Sequence, residues 1–207
     1  MDVDAVEIRV LGCLIEKQRT TPAQYPLSLN ALRLACNQTT NREPIVDYDE
    51  RTIKAALDRM SHRGWTRFAS GASSRALKYR HLLNEALSLS DAEIAVLAVL
   101  MLRGAQTLGE LKQRGERMHK FESLGEVAEI LDALAQRELV ATLERRPGQK
   151  EERYVQLLGG EQPDTVATVA TVATVVTEDD GDRIEAIEAR LERLEAAFEE
   201  LRARVSS

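Results

Sequence analysis

The side chains best suited to bind a ligand are amides and cations in the first 83 residues. In chain order they are Asn37, Gln38, Asn41, Arg42, Arg51, Arg59, Lys78 and Arg80. Amide, guanidinium and ammonium groups donate hydrogen bonds to phosphate oxygens and base edges, so this combination favours contact with nucleic acid. A structural interpretation stays open beside it, in which the amides hold a long loop in place and the arginines are solvated.

Groups suited to catalysis or metal binding are sparse. His62, His81 and His119 are scattered, with no helical pair of histidines and no adjacent cysteine or carboxylate cluster. The sequence has no glycine-rich phosphate loop, nucleophile elbow or zinc spacing. Cys13 and Cys36 lie in apolar helical patterns, which predicts buried, reduced thiols. We therefore expect a protein that is not an enzyme and that uses neither a metal nor a cofactor.

An internal repeat indicates which elements position these side chains. Ile8-Val10-Leu11-Leu14 recurs as Ile94-Val96-Leu97-Leu100, and Tyr79 before Leu82-Leu83 recurs as Tyr154 before Leu157-Leu158. Self-similarity at a long period means two copies of one supersecondary unit. The first, second and third helices align at offsets of 86, 79 and 74 residues, so the first copy carries extra residues on both sides of its second helix.

Each copy reads as three helices followed by two short strands, which is the winged-helix plan. The expected fold class is mostly α with small β-hairpins (α+β), arranged as two tandem winged-helix domains at 1–84 and 85–160. These are called the first and second repeat below. In the second repeat, Ser90 with Glu93 and Thr107 with Glu110 have the spacing of capping boxes.

In the first repeat, the apolar pattern predicts a helix over roughly 4–17. Ser28 and Asp49 are expected to cap the second and third helices. Strands are expected at 65–70 and 75–83. Along the second strand, alternation predicts a buried face made of Leu77, Tyr79, His81 and Leu83.

Helical projection of the third helix of each repeat predicts different exposed surfaces. In the first repeat the outward residues are Arg51, Ala55, Asp58, Arg59 and His62. In the second they are Gly125, Glu129, Asp132, Ala133 and Gln136. Net charge follows the same division, at +4 for residues 1–83 and −3 for residues 84–160. The first repeat is thus the candidate for double-stranded DNA, and the second is the candidate for a protein partner.

Several short motifs, in and around the extra residues of the first repeat and in the second repeat, resemble those of a known family. They are Gly12-Cys13-Leu14-Ile15-Glu16-Lys17-Gln18, Thr21-Pro22-Ala23-Gln24-Tyr25-Pro26-Leu27-Ser28, Ala35-Cys36-Asn37-Gln38, Asn41-Arg42-Glu43-Pro44 and Leu102-Arg103-Gly104-Ala105-Gln106-Thr107. Over roughly residues 5–158 the chain resembles the YceH-type family of bacterial tandem winged-helix proteins. Thr39 stands where the family pattern usually has Lys, which weakens a phosphate-binding role for that loop. Leu108 stands where the pattern often has Pro.

The C-terminal segment predicts self-association. A low-complexity linker at 161–181, rich in Thr, Val and Ala, precedes a helix at 182–207. Its apolar residues alternate spacings of three and four, as in a coiled coil: Ile184, Ile187, Leu191, Leu194, Phe198, Leu201 and Val205. We expect a homodimer through this helix. The alternative is one amphipathic helix folded back on the body.

Two functions from different classes follow. In one, the chain is a DNA-binding protein of the transcriptional-regulator type, dimeric through its C-terminal helix. In the other, it is a protein-interaction scaffold that resembles the tandem winged-helix accessory subunits of bacterial condensin complexes. The acidic N-terminus lacks an apolar signal region, and the tract at 165–177 is too short to span a bilayer. We therefore expect a cytoplasmic protein with no membrane partner.

Overall fold

The computed structural model describes residues 3–69, 77–143 and 151–159 of the chain, and these ranges form a mixed α/β fold of helices and small antiparallel sheets. The elements of the first repeat are α1 (Ala5–Thr20), a 3-10 turn (Pro22–Gln24), β1 (Leu27–Ser28), α2 (Leu29–Cys36), α3 (Glu50–His62), β2 (Thr66–Ala69) and β3 (Lys78–His81). A short helix follows, α4 (Leu83–Ala86). Then come α5 (Asp91–Arg103), α6 (Leu108–Gly115), α7 (Leu124–Gln136), β4 (Val140–Leu143) and β5 (Arg153–Gln156).

The helix starts follow directly from the capping residues. Ser28 and Asp49 begin α2 and α3, and each side chain accepts a hydrogen bond from the backbone N–H three residues on. The capping boxes expected at Ser90 and Thr107 are both present. A side-chain acceptor at this position satisfies one of the unpaired N–H groups of a helix start. The predicted starts of α2, α3, α5 and α6 are therefore confirmed.

The core is centred on α1 and α5, which pack against each other along their lengths. Every residue of α5 from Ile94 to Leu102 is buried, and α1 is buried from Glu7 to Ile15. Gly12 lies at the contact, where an added Cβ would come within 2.9 Å of the Leu102 side chain. All described residues belong to one compact unit, Met1–Val169, and α4 spans the boundary expected between residues 84 and 85.

Two strand predictions in the first repeat need correction. The sheet has three strands in the order β1-β3-β2, and the pairing of Leu27 with Tyr79 was not foreseen because β1 has only two residues. Tyr79 and His81 are buried as expected, but Leu77 is 59% exposed. Leu83 is buried as part of α4, since β3 already ends at His81. Alternation thus predicts a strand at 75–83, whereas β3 spans only Lys78–His81.

The remaining C-terminal predictions lie outside the described residues. These are the linker at 161–181 and the coiled-coil helix at 182–207 with its seven apolar positions. Within the parts of the chain that the structure describes, no helix is both long and apolar enough to cross a membrane.

Candidate nucleic-acid interface

Helix α3 presents the outward face that its sequence predicts. Ile53, Ala56, Leu57 and Met60 are buried against the core. Arg51, Ala55, Arg59 and His62 are exposed and Asp58 is half-buried. The apolar stripe at helical spacing fixes this orientation, because rotation of the helix would place Ile53 and Leu57 in water.

Three of the charged residues on α3, Lys54, Asp58 and Arg59, are paired within the protein. The Lys54 Nζ atom lies 2.7 Å from Asp58 Oδ2, so the carboxylate that would repel phosphate is compensated. Arg59 forms an ion pair with Asp4 and lies 3.4 Å from Glu7 Oε1, which ties it to the start of α1. Within the described residues, Arg51 has no carboxylate within ion-pair distance, although it interacts electrostatically with Asp49.

The hairpin of β2 and β3 carries a second basic surface. Arg67 is directly opposite Arg80, and Ala69 is opposite Lys78. Cross-strand partners share a face of a sheet, so Arg67, Lys78 and Arg80 lie together on one side. The other side is fixed to α3, because the Thr66 hydroxyl donates to the Leu57 carbonyl at 3.2 Å. Sequence analysis missed Arg67, although its place between Thr66 and Phe68 in an alternating strand was the available signal.

The polar loop between α2 and α3 is held by its own side chains. Asn37 accepts from the Tyr48 N–H at 2.9 Å and donates to the Tyr48 carbonyl at 2.8 Å. Asn41 accepts from the Arg103 guanidinium, and Gln38 accepts from Arg42 at 3.0 Å. These amides therefore serve the structural role that was left open beside the nucleic-acid one.

Arg42 is the clearest departure from the expected surface role. Its side chain has no exposed area, and it donates to both carboxylate oxygens of Glu16, at 3.2 and 2.6 Å. It also donates to the Ala35 carbonyl at 3.1 Å, while Arg9 donates to the Cys36 carbonyl at 3.1 Å. The two guanidiniums thus satisfy the C-terminal carbonyls of α2 and oppose its negative end. A guanidinium buried in this way cannot contact a phosphate.

The buried titratable groups nearby are packed into the core. Cys13 and Cys36 are buried with free thiols. A hydrogen bond to Cys13, together with burial, raises the pKa of Cys36. Burial, with Arg19 and Arg80 nearby, lowers the pKa of His81 to about 4. Its Nε2 atom lies 2.5 Å from Gln18 Oε1, so neutral His81 donates there, as a core histidine would.

The exposed face of α7 has the opposite chemistry. Ser123 caps the helix, and Val127, Leu131 and Leu134 are buried. The five residues predicted to face outward are all exposed, namely Gly125, Glu129, Asp132, Ala133 and Gln136. This face has carboxylates and no cation. Among the described residues there is also no group of three metal-ligating side chains.

Comparison with known proteins places the chain among bacterial relatives. Residues 3–149 match the family model described as "Protein of unknown function, DUF480". A UPF0502 protein of Citrifermentans bemidjiense is 48% identical over 191 residues, covering 91% of this chain and 88% of the relative. A UPF0502 protein of Klebsiella pneumoniae is 45% identical, covering 98% and 94%. One from Geotalea daltonii is 52% identical, covering 81% and 78%. The chain therefore belongs to the DUF480 (UPF0502) family, in agreement with the YceH-type resemblance of its sequence.

Proposed function

We propose that each repeat is a winged-helix unit and that the first repeat binds double-stranded DNA. In this proposal α3 lies in the major groove and the β2–β3 hairpin is the wing that contacts the backbone, as in other winged helices. The element order of three helices followed by an antiparallel strand pair supports the assignment in both repeats. Since bacterial chromosomal DNA lies in the cytoplasm, the protein would act there.

The observation that carries the proposal is the basic face of the hairpin. Arg67 and Arg80 are direct cross-strand partners with Lys78 beside them, and like charges placed opposite each other destabilise a strand pair. Glu85 compensates Arg80 only weakly, at 4.0 Å. A polyanion on this face removes the repulsion, and release of its counterions favours binding.

In this proposal, the candidate residues differ in how free they are to contact DNA. Arg51 is free to reach a base edge or a phosphate, whereas Arg59 contributes charge while held by Asp4. Ala55 permits close approach of α3 to the groove. Asn37, Gln38, Asn41 and Arg42 are engaged within the protein and act indirectly, by holding the loop that leads into α3.

Fluorescence anisotropy of labelled random-sequence duplex, titrated with the full-length protein at several salt concentrations, tests this proposal. We expect binding that weakens steeply with salt, and each lost phosphate contact should lower the salt slope by about 1. Arg51→Gln and the pair Arg67→Gln with Lys78→Gln should weaken binding, while Lys120→Gln, an exposed charge in the second repeat, should not. Absence of binding at low salt, or equal affinity in all variants, would overturn the proposal.

We further propose that the helix at 182–207 joins two chains in a coiled coil, which would place two first repeats on one duplex. The support is its unbroken series of apolar residues at coiled-coil spacing. Deletion of residues 178–207 should convert a dimer into a monomer in sedimentation equilibrium. An unchanged mass would contradict this mode of association.

A scaffold function is the second candidate, and the acidic exposed face of α7 favours it. Glu129 and Asp132 would repel DNA but suit a basic protein surface, and Leu124 adds an exposed apolar contact, 49% accessible, at the start of the helix. If the duplex fails to bind, wild type and the double variant Glu129→Lys with Asp132→Lys can each be used as bait in affinity capture. A protein that docks on the exposed face of α7 should be retained by wild type and lost with the double variant. A partner retained equally by both would exclude α7 as the docking surface.

A further inference from the structure

A cleft of about 410 Å³ lies next to the C-terminal end of α5 and is lined by Arg103, Arg114 and Arg117. Arg103 is the last residue of α5, Arg114 lies on α6, and Arg117 follows that helix. The first repeat contributes the polar side chains of Thr20 and Asn41 to the wall. The cleft is therefore formed by both repeats and is separate from α3 and the β2–β3 hairpin. It is called the arginine cleft below.

Positive charge in the arginine cleft is not balanced by the carboxylates around it. Glu16 lies in the wall, but its charge is taken up by Arg42 at 2.6 Å. Arg114 pairs with Glu110 at 3.1 Å. Across the described residues, neither Arg103 nor Arg117 has a carboxylate within ion-pair distance.

Burial, with the Arg114 and Arg42 guanidiniums nearby, lowers the pKa of Arg103, although Glu16 and Glu110 act in the opposite direction. An anion between the guanidiniums would relieve the repulsion between them, and guanidinium groups match the geometry of phosphate and carboxylate oxygens. Leu102 and Met118 add an apolar part to the lining. The volume lies in the range of small-molecule sites, which is roughly 300–1,000 Å³.

We propose that the arginine cleft binds a small organic anion, with its phosphate or carboxylate group held by Arg103 and Arg117 and its apolar part against Leu102 and Met118. A second cavity of about 470 Å³ shares Asn41, Arg103 and Arg114 and gives a larger ligand room to extend. The inference does not depend on DNA binding. Because the cleft is built by both repeats, its occupant would contact both of them.

Titrations of the full-length, ¹⁵N-labelled protein with inorganic phosphate, phenyl phosphate and citrate, at constant ionic strength, test the inference. We expect shifts of the Arg103 and Arg117 Nε–H signals and of backbone amides at 113–118. Phenyl phosphate should bind more tightly than inorganic phosphate if the apolar wall takes part, and citrate reports on carboxylate recognition. No shift with any probe at about 20 mM would overturn the proposal, since the dissociation constant would then lie well above the millimolar range.

Variants of the full-length protein show whether the probes bind in the arginine cleft. Arg103→Gln with Arg117→Gln should weaken binding about tenfold or more, because two charge-assisted contacts are lost. Arg117→Gln alone, which breaks no bond among the described residues, serves if the double variant does not fold. Lys120→Gln should bind the probes as wild type does.

Arg51→Gln separates this inference from the proposed function. It should reduce DNA affinity and leave binding of the small anions unchanged. The cleft variants should weaken binding of the small anions and leave DNA affinity unchanged. Anion binding that is lost with Arg51→Gln but kept in Arg103→Gln with Arg117→Gln would place the site on α3 and overturn the assignment to the cleft.

Discussion

The two repeats begin their helices at equivalent positions but present opposite surfaces. The N-caps of the first repeat and their counterparts in the second are separated by 86, 79 and 74 residues: Asp4 and Ser90, Ser28 and Thr107, Asp49 and Ser123. The last strands of the two repeats, β3 and β5, also correspond, since Tyr79 pairs with Leu27 and Tyr154 forms a bridge with Gln106. The duplication has thus kept the backbone plan while the exposed side chains have diverged.

The difference between the repeats lies in what surrounds the equivalent third helices. Around α3 there are the exposed cation Arg51 and the basic face of the hairpin, whereas α7 exposes Glu129 and Asp132. The loop before α3 also contains Arg42, buried on Glu16 of α1. The extra residues of the first repeat thus contribute to a polar network that holds the loop leading into α3.

The largest expected effect comes from breaking that network. Arg42→Leu would remove the donor to the Ala35 carbonyl and leave Glu16 with Lys17, 3.6 Å away, as its ion-pair partner. Loss of one member of a buried ion pair costs about 3–5 kcal/mol. Urea unfolding measures this as a lower midpoint. The matched control is Arg137→Leu in the second repeat, whose more exposed pair with Glu93 should be worth less than about 1 kcal/mol. Equal losses of unfolding free energy in the two variants would show that the buried ion pair of this loop stabilises the fold no more than an exposed pair does.

His81 should make stability depend on pH. Its folded pKa of about 4 lies below the unfolded value of 6.5, so the unfolded chain binds the proton first as pH falls. Stability is therefore full above about pH 6.5 and declines towards pH 4, by at most about 3 kcal/mol. The free energy of unfolding, measured in urea from pH 7.5 to pH 4.5, should fall less in His81→Gln, which keeps a donor for Gln18. Parallel curves for wild type and variant would rule out this histidine as the cause.

Smaller changes in stability are expected on replacing two glycines by alanine, and the two changes should have opposite signs. Gly12 lies in the contact of α1 with α5, whereas Gly109 lies on α6. Gly12→Ala forces the new methyl group to within 2.9 Å of Leu102, and such overpacking costs about 1–3 kcal/mol. Gly109→Ala, at an exposed position of α6 with nothing within 4 Å, should stabilise by up to about 1 kcal/mol through helix propensity. Thermal unfolding of both variants separates packing from propensity. Stabilisation by Gly12→Ala would mean that the two helices can move apart without cost.

The features that sequence analysis predicted are local, and those it missed depend on distant parts of the chain. Ser90 and Glu93 are three residues apart, so their capping box could be read directly. The bond between Arg42 and Glu16 joins positions 26 residues apart, and that between Arg103 and Asn41 joins positions 62 apart. No periodicity encodes such pairs, which is why Arg42 was expected at the surface and the arginine cleft was not expected at all.

Apolar periodicity behaved differently at helices and strands. It placed the exposed residues of α3 and α7 well, because a stripe repeated over 13 residues averages out single exceptions. It failed at Leu77 and Leu83, because β3 has only four residues and alternation alone does not mark where a strand stops.

Hydrogen–deuterium exchange of the full-length protein, with and without a saturating random-sequence duplex at low salt, would show which surface binds DNA. We expect slower exchange over α3 and the β2–β3 hairpin, and no change over the exposed turns of α7. Protection confined to α7, or no protection anywhere in the first repeat, would contradict the assignment of DNA binding to the basic surface.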